Sequence, residues 1–430
     1  MSALNVQLLL TGNELMSGDV IDSNSAMIAQ QLKDIGIEVN RKVTVADDLT
    51  ALVNEIKTLS VQADIVILNG GLGPTVDDMT AQALALAANK PIKRNPHAMK
   101  HLEAWCKMRN YELSEPNKKQ ADLPQGCEII PNSIGSAVGF KLTLNECEIF
   151  CTPGVPPELK LMLKQEIIPQ LANKIPQAFK TQVSRMQVFG LGESTIQKMI
   201  NEAYPQWPID LELGFRAAMP LIEVKLTSRS TQANELSPHW QNKIKQLLGD
   251  HVIGENSASI SKVVVELLNQ KKQTITLAES CTGGLIASQL TQVSGASNVF
   301  EAGFVTYSNK MKTQLLDVDT DILCNHGAVS EQTVIAMAKG ALKKSQANYA
   351  MAVSGIAGPD GGTTDKPVGM VWIAWGNNKR IRTCCLYLPG SRLYFQHYVA
   401  TIGLDLIRRM LISAKQPANY LKERLFSNKD

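Results

Sequence analysis

Residues 6–12 read VQLLLTG, an apolar run closed by a glycine. A strand buried on both faces of a sheet has this texture, because neither face needs to alternate toward solvent. Beyond it, Asn24 is a candidate N-cap, and Ala26, Ile28, Ala29, Leu32 and Ile35 recur at helical spacing until Gly36. A strand is predicted over residues 37–45, a helix over 49–59 and a second buried strand over 64–69. This alternation implies a parallel sheet with crossover helices, an α/β domain over about residues 1–170. Ligands on such sheets collect at the carboxyl ends of the strands. The loops expected there are TGNELMSGDVIDSN (11–24), GGLGPTVDDMT (70–80) and TPGVPPE (152–158), three walls of one candidate site.

The whole chain sets outer bounds. Its 430 residues exceed one ordinary core, and 44% hydrophobic with 19% charged residues is the composition of a globular protein. A formal net charge of +3, with no long run of Lys and Arg, does not point to nucleic acid. The N-terminus has no basic region before its short apolar stretch, and no apolar segment approaches the ~20 residues that cross a bilayer. A cytoplasmic location, with no membrane partner, is the expectation. Eight cysteines are scattered, and Cys147 and Cys151 have no spaced partners to complete a zinc site.

Between residues 175 and 255 the texture changes to a small α+β module. RMQVFGLGESTIQKMI (185–200) reads as strand, glycine turn and helix, and PLIEVKLTSR (220–229) alternates as a half-exposed strand. GLGE stands where a KH module carries its glycine loop, but the loop is acidic and lacks stacking aromatics nearby, so a spacer or packing role is favoured over RNA binding. ENSASIS (255–261) reads as a linker. A third domain, residues 258–425, follows, with strands predicted at 274–278, 304–307, 349–354, 368–375 and 381–388 and a last helix at 391–411.

In LAESCTGG (277–284) a strand feeds a helix through a serine, a cysteine and two glycines. Backbone N–H groups of such a turn can hold an oxyanion or a phosphate. In the blander alternative Ser280 or Thr282 merely caps the helix. A serine needs a base, and no histidine stands out except His326. A lysine serves if its amine is neutral, which requires a downward shift of roughly three units from ~10.4, or about 4 kcal/mol. Lys310 and Lys312 are the candidates, with Tyr307 as a possible relay, against the alternative of solvated loop lysines. The loop SGIAGPDGGTTDKPVG (354–369) can wrap a ribose phosphate through backbone N–H groups, or simply connect two strands.

The blocks AESCTGG, GFVTYSN, HGAVSE, SGIAGPDGG and KPVG, in this order, resemble the nicotinamide mononucleotide (NMN) amidohydrolase domain of the competence/damage-inducible CinA family. The resemblance implies Ser280 as nucleophile with Tyr307 and Lys312 as activating partners. Thr282, Gly283 and Gly284 would serve as oxyanion and substrate donors, and no cofactor would be needed; Ser354 and Gly355 are candidate substrate contacts from the reading of the 354–369 loop itself. Cys281 is intrinsically the better nucleophile, but the shared pattern assigns the chemistry to Ser280.

In GGLGPTVDDMT, Gly70, Gly71, Gly73 and Thr75 are candidate phosphate contacts, and Asp77 and Asp78 could hold a divalent ion, joined by Glu14, Asp47 or Asp48. Alternatively, Asp77 or Asp78 caps a helix near Thr80. TGNELMSG, VADD, GGLGPTVDDMT and TPGVPPE are similar to the molybdopterin-binding fold and to the CinA N-terminal domain. That likeness implies a metal-dependent ADP-ribose pyrophosphatase, with molybdopterin binding or adenylyl transfer as the alternative. Together the resemblances imply NAD recycling, NMN and ADP-ribose as ligands, and a homodimer or higher homo-oligomer. A non-catalytic partner in DNA uptake or repair is the reading from a different class.

Overall fold

The structure is a computed structural model that describes residues 4–175, 181–228, 230–256 and 258–426. The linker expected at 255–261 includes Ser257, the strand pattern at 220–229 ends on Arg229, and the 175–255 module includes 176–180; these positions lie outside the described residues. The chain divides into two compact units, residues 1–183 with 228–234 and residues 184–227 with 235–430.

The first unit is built on strands β1 (Val6–Thr11), β2 (Val39–Val45), β3 (Ile65–Asn69), β4 (Glu128–Ile130), β5 (Gly139–Leu144) and β6 (Cys147–Thr152), in the sheet order β2-β1-β3-β6-β5-β4. The first four of these in space run parallel, as the alternation predicts. β5 and β4 extend the sheet antiparallel. β5 and β6 meet at Asn145 and Glu146, both at positive φ, the twist a two-residue hairpin turn requires. Alternate residues of β1 feed opposite cores: Leu9 packs with Leu52, Val66 and Phe140, while Val6, Leu8 and Leu10 pack with Ile28, Ile67 and Phe150.

The helices of this unit include α1 (Asn24–Asp34), α2 (Leu49–Ser60) and α3 (Thr80–Ala87). Asn24 is not the N-cap of α1; Ser23 holds that position. The Asn24 amide instead donates to Asn69 Oδ1 at 2.9 Å and Gly154 O at 2.7 Å, tying the first loop to the other two.

The KH-like module, most of whose residues belong to the second unit, is made of β7 (Gln182–Val188), α4 (Glu193–Ala203), β8 (Leu211–Ala218), β9 (Leu221–Ser228), α5 (Thr231–Leu248) and β10 (Val252–Glu255), sheet order β8-β9-β7-β10. Its glycine loop faces protein: a Cβ on Gly190 would lie 3.0 Å from the Tyr420 ring, and Phe189 packs on Tyr420 and Tyr398. Aromatic side chains do occur in the module, but Tyr204 and Trp207 both pack on Trp240.

The rest of this unit includes α6 (Ile260–Lys271), β11 (Ile275–Glu279), α7 (Leu285–Thr291), β12 (Phe300–Val305), α8 (Asn309–Leu316), α9 (Glu331–Ser345), β13 (Tyr349–Gly355), β14 (Met370–Asn377), β15 (Arg380–Tyr387) and α10 (Arg392–Leu411). The sheet order is β12-β11-β13-β14-β15, with β11 parallel to both neighbours and the last two strands antiparallel. β12 ends at Val305, so Tyr307 belongs to the loop after the strand rather than to the strand itself. No described helix is long and apolar enough to cross a membrane.

Candidate active site

Ser280 follows directly on β11, whose five residues are all buried. Its backbone N–H donates to Val353 O of β13 at 3.1 Å, which fixes the residue at the carboxyl edge of the sheet. α8 begins four residues after β12; the Ser308 hydroxyl caps it by accepting from Met311 N–H. This places Lys312 on the first turn, pointing back under the strand end, and the side chain is only 1% exposed. Its Nζ stands 3.1 Å from Ser280 Oγ, 2.8 Å from Thr306 O and 3.4 Å from Tyr307 O. Lys310, by contrast, is exposed, as is His326.

Those three contacts suit a neutral amine. A neutral amine has two N–H donors and one lone pair. Two of the neighbours are carbonyls that only accept, while the third is a hydroxyl that can donate. Burial pushes the Lys312 amine below the ordinary lysine value, and no carboxylate opposes that shift. Cys281, adjacent in sequence, faces the other way into the apolar core with Ile286, Leu290 and Phe395. Burial pushes its thiol up to about 12, so at neutral pH it carries almost no thiolate.

Several expected contacts are placed differently. Tyr307 is 61% exposed, and its phenol accepts from Arg392 Nη2 at 2.8 Å; what Lys312 touches is the Tyr307 carbonyl. Arg392 also donates to Gly358 O at 3.0 Å, so it joins the Tyr307 loop to the glycine-rich loop. The Ser354 hydroxyl donates to Ala328 O at 2.7 Å and thus fastens the HGAVSE segment. Gly355 serves close packing, since a Cβ there would lie 2.7 Å from Met370 O.

The N–H groups expected to hold an oxyanion are also partly used. Gly283 N–H donates to Ser280 O, and Gly284 N–H to the carboxylate of Glu279. Glu279 was not singled out in the sequence, although an acidic residue closing an apolar strand was the available signal. Its carboxylate, 1% exposed, accepts from Thr282 Oγ1 (2.6 Å), Gly284 N (3.0 Å), Ile286 N (3.1 Å) and Ala287 N (2.8 Å). Thr282 therefore does not cap α7 with its hydroxyl, and neither does Ser280. The N–H groups of Cys281 and Thr282 have no oxygen acceptor among the described residues.

In the first unit the three loops do converge. They line a cavity of about 470 Å³ that includes Gly12, Asn24, Gly70, Gly71, Gly73 and Gly154. Gly70 and Gly71 have φ of +111° and +64°, and a Cβ on either would lie within 2.7 Å of Thr11 O or Thr80 Oγ1, so the loop needs glycine on both counts. Asp77 and Asp78 do not cap α3, whose N-cap is Met79. Asp78 instead accepts from both the N–H and the hydroxyl of Thr75. Asp47 accepts from Thr11 Oγ1 and Asn13 N–H, and Asp48 caps α2 through Ala51 N–H. Glu14, Asp47, Asp77 and Asp78 line the cavity, but among the described residues no three His, Cys, Asp or Glu side chains converge on one point. Asp47, Asp48 and Asp78 are thus already engaged, and the set does not by itself cage a resident ion.

Comparison with known proteins follows the same division. Residues 7–173 match the model of a probable molybdopterin binding domain, 184–254 that of the damage-inducible protein CinA KH domain, and 257–411 that of the CinA C-terminal domain. A CinA-like protein of Colwellia psychrerythraea is 57% identical, covering 100% of both chains. A Shewanella oneidensis protein named nicotinamide-nucleotide amidohydrolase PncC is 38% identical, covering 99% of this chain and 100% of that one. Among solved structures, a competence/damage inducible protein of Agrobacterium tumefaciens is 39% identical and covers 36% of this chain and 94% of its own, with a TM-score of 0.34.

Proposed function

Because the chain belongs to the CinA family, with a molybdopterin-binding-like domain, a KH-like module and a CinA C-terminal domain, we propose that its C-terminal domain is a serine amidohydrolase of NMN that acts in NAD recycling. The observation that carries this is the buried Lys312 amine, 3.1 Å from Ser280 Oγ and otherwise held by two carbonyls. In the reaction, Ser280 Oγ bonds to the carboxamide carbon while its proton passes to the Lys312 lone pair. The N–H groups of Cys281 and Thr282 receive the oxyanion. Lys312 returns the proton to the amide nitrogen, the C–N bond breaks, and ammonia leaves an ester on Ser280. Water, giving a proton to the neutral Lys312, then attacks the ester; the Oγ–C bond breaks, Ser280 recovers its proton, and nicotinate mononucleotide departs. Tyr307 acts through its carbonyl, which holds the amine. Arg392, which donates to its phenol, is the cation we assign to the anionic part of the nucleotide.

The test incubates EDTA-treated protein with NMN and follows ammonia, with Ser280→Ala alongside. Release by the wild type that the substitution abolishes is the expected result. No release from folded wild type would overturn the proposal and favour a binding protein.

A second proposal concerns the first unit. The 470 Å³ cavity, with its glycine-rich rim at the strand ends, supports binding of a nucleoside diphosphate such as ADP-ribose. Pyrophosphatase activity would depend on a divalent ion that the protein side chains alone do not cage. Formation of AMP from ADP-ribose, measured with and without added Mg²⁺, decides it; calorimetry showing no binding of ADP-ribose at all would sink it.

A further inference from the structure

The Glu279 carboxylate is buried and pairs with no cation among the described residues, yet the reaction described above does not use it. All four of its partners are donors belonging to the turn and the first residues of α7. Their effect is cumulative. Gly283 N–H is taken by Ser280 O, Gly284 by Glu279, Leu285 by Thr282 O, and Ile286 and Ala287 by Glu279. Every N–H from 283 to 287 is therefore committed inside the turn. Among the described residues, the two N–H groups of the turn without an oxygen acceptor are those of Cys281 and Thr282, which follow Ser280.

We propose that Glu279 is the positioning residue that folds the 280–287 turn around its carboxylate so that the N–H groups of Cys281 and Thr282 alone are left to hold the oxyanion. This rests on the amidohydrolase reading of the C-terminal domain. The chemistry of the partners dictates the residue type. Four converging donors need an acceptor-only group, and only an ionised carboxylate has both oxygens free to accept. Glutamine would turn an NH₂ group toward at least one N–H. Aspartate, one methylene shorter, cannot reach from the strand end to both Ile286 and Ala287. With the Glu279 carboxylate taken up by the turn, the Lys312 amine has no carboxylate partner among the described residues and stays available as a base.

The experiment compares NMN hydrolysis by wild type, Glu279→Gln and Glu279→Asp across pH. Removing oxyanion donors costs about 10²–10³ in kcat. A loss of that size in Glu279→Gln, with KM and the midpoint of the alkaline-rising limb unchanged and no rescue by Glu279→Asp, supports the proposal. The second readout is pyridine-3-carboxaldehyde, whose hemiacetal with Ser280 carries the oxyanion. Its affinity should fall with kcat, while the affinity for nicotinate mononucleotide stays as in wild type. Should neither Glu279 variant fold, Thr282→Val removes one donor to the carboxylate and should lower kcat by about tenfold with unchanged KM. Wild-type kcat in Glu279→Gln or Thr282→Val, or equal loss of aldehyde and product affinity, overturns the positioning role while leaving the amidohydrolase reading intact. Failure of wild type itself to hydrolyse NMN removes the amidohydrolase reading, and this inference with it.

Discussion

Replacing Lys312 by methionine tests the base most directly. Methionine keeps the apolar stem as far as Cε, with sulfur in place of Cδ, and lacks the amine. Lys312 Nζ is within hydrogen-bond reach of Ser280 Oγ, and no other side chain is bonded to that hydroxyl among the described residues. General-base catalysis contributes about 10²–10⁴, and with no substitute base in place the upper part applies, about 10³–10⁴ or about 4–5.5 kcal/mol in the barrier. Wild-type kcat/KM should rise with slope one in pH and level off below the ordinary lysine value of about 10.4, because burial holds the amine lower. Lys312→Arg should be as inactive as Lys312→Met, since guanidinium does not lose its proton. Stability carries a matching signature. Below the folded pKa both states hold the proton, and folding bears the full cost of burying the charge. Between the folded value and ~10.4 only the unfolded chain binds it, so stability rises with pH by at most about 1.4 kcal/mol per unit. The melting advantage of Lys312→Met over wild type should accordingly be largest at low pH and shrink as pH rises. Ammonia release from NMN and thermal melts over the same pH series are the assays. A variant retaining a tenth of the wild-type rate, or a wild-type limb that climbs without levelling before ~10.4, would refute the reasoning.

Three other outcomes follow from the same geometry. Cys281→Ala should keep most of the amidohydrolase rate and cost about 1 kcal/mol or less of stability, because the thiol fills core space and stays protonated; loss of activity in a folded variant would return the thiol to the chemistry. Arg392→Ala should raise KM for NMN about tenfold or more with little change in kcat, the pattern of uniform binding lost; an unchanged KM would show that Arg392 only ties two loops. Gly355→Ala should lower stability by about 1–3 kcal/mol, since its Cβ would sit 2.7 Å from Met370 O and 3.0 Å from Phe395 Cζ; a variant melting at the wild-type temperature would contradict the packing role.

The fold was legible where burial alone sets the pattern. β1, β3 and β11 are apolar in sequence because both of their faces are covered, and the helices between them carry one apolar stripe each, so element order and sheet class could be read directly. The motif blocks likewise put a serine, a tyrosine and a lysine into one neighbourhood. What the linear order does not contain is direction. Tyr307 was expected to serve Lys312 through its phenol, but the chain leaves β12 two residues before it, and the ring turns outward to Arg392, 85 residues away. Ser354 reads as a substrate contact by position, and its hydroxyl proton goes to Ala328 O across the fold. The glycine N–H groups read as oxyanion donors until the turn closes on Glu279, a residue whose significance depends on four donors meeting at one point. Residue type and periodicity are properties of the chain and survive in the sequence; which hydrogen-bonding groups remain unpaired is a property of the packed whole, because every donor's fate is settled by acceptors brought from elsewhere.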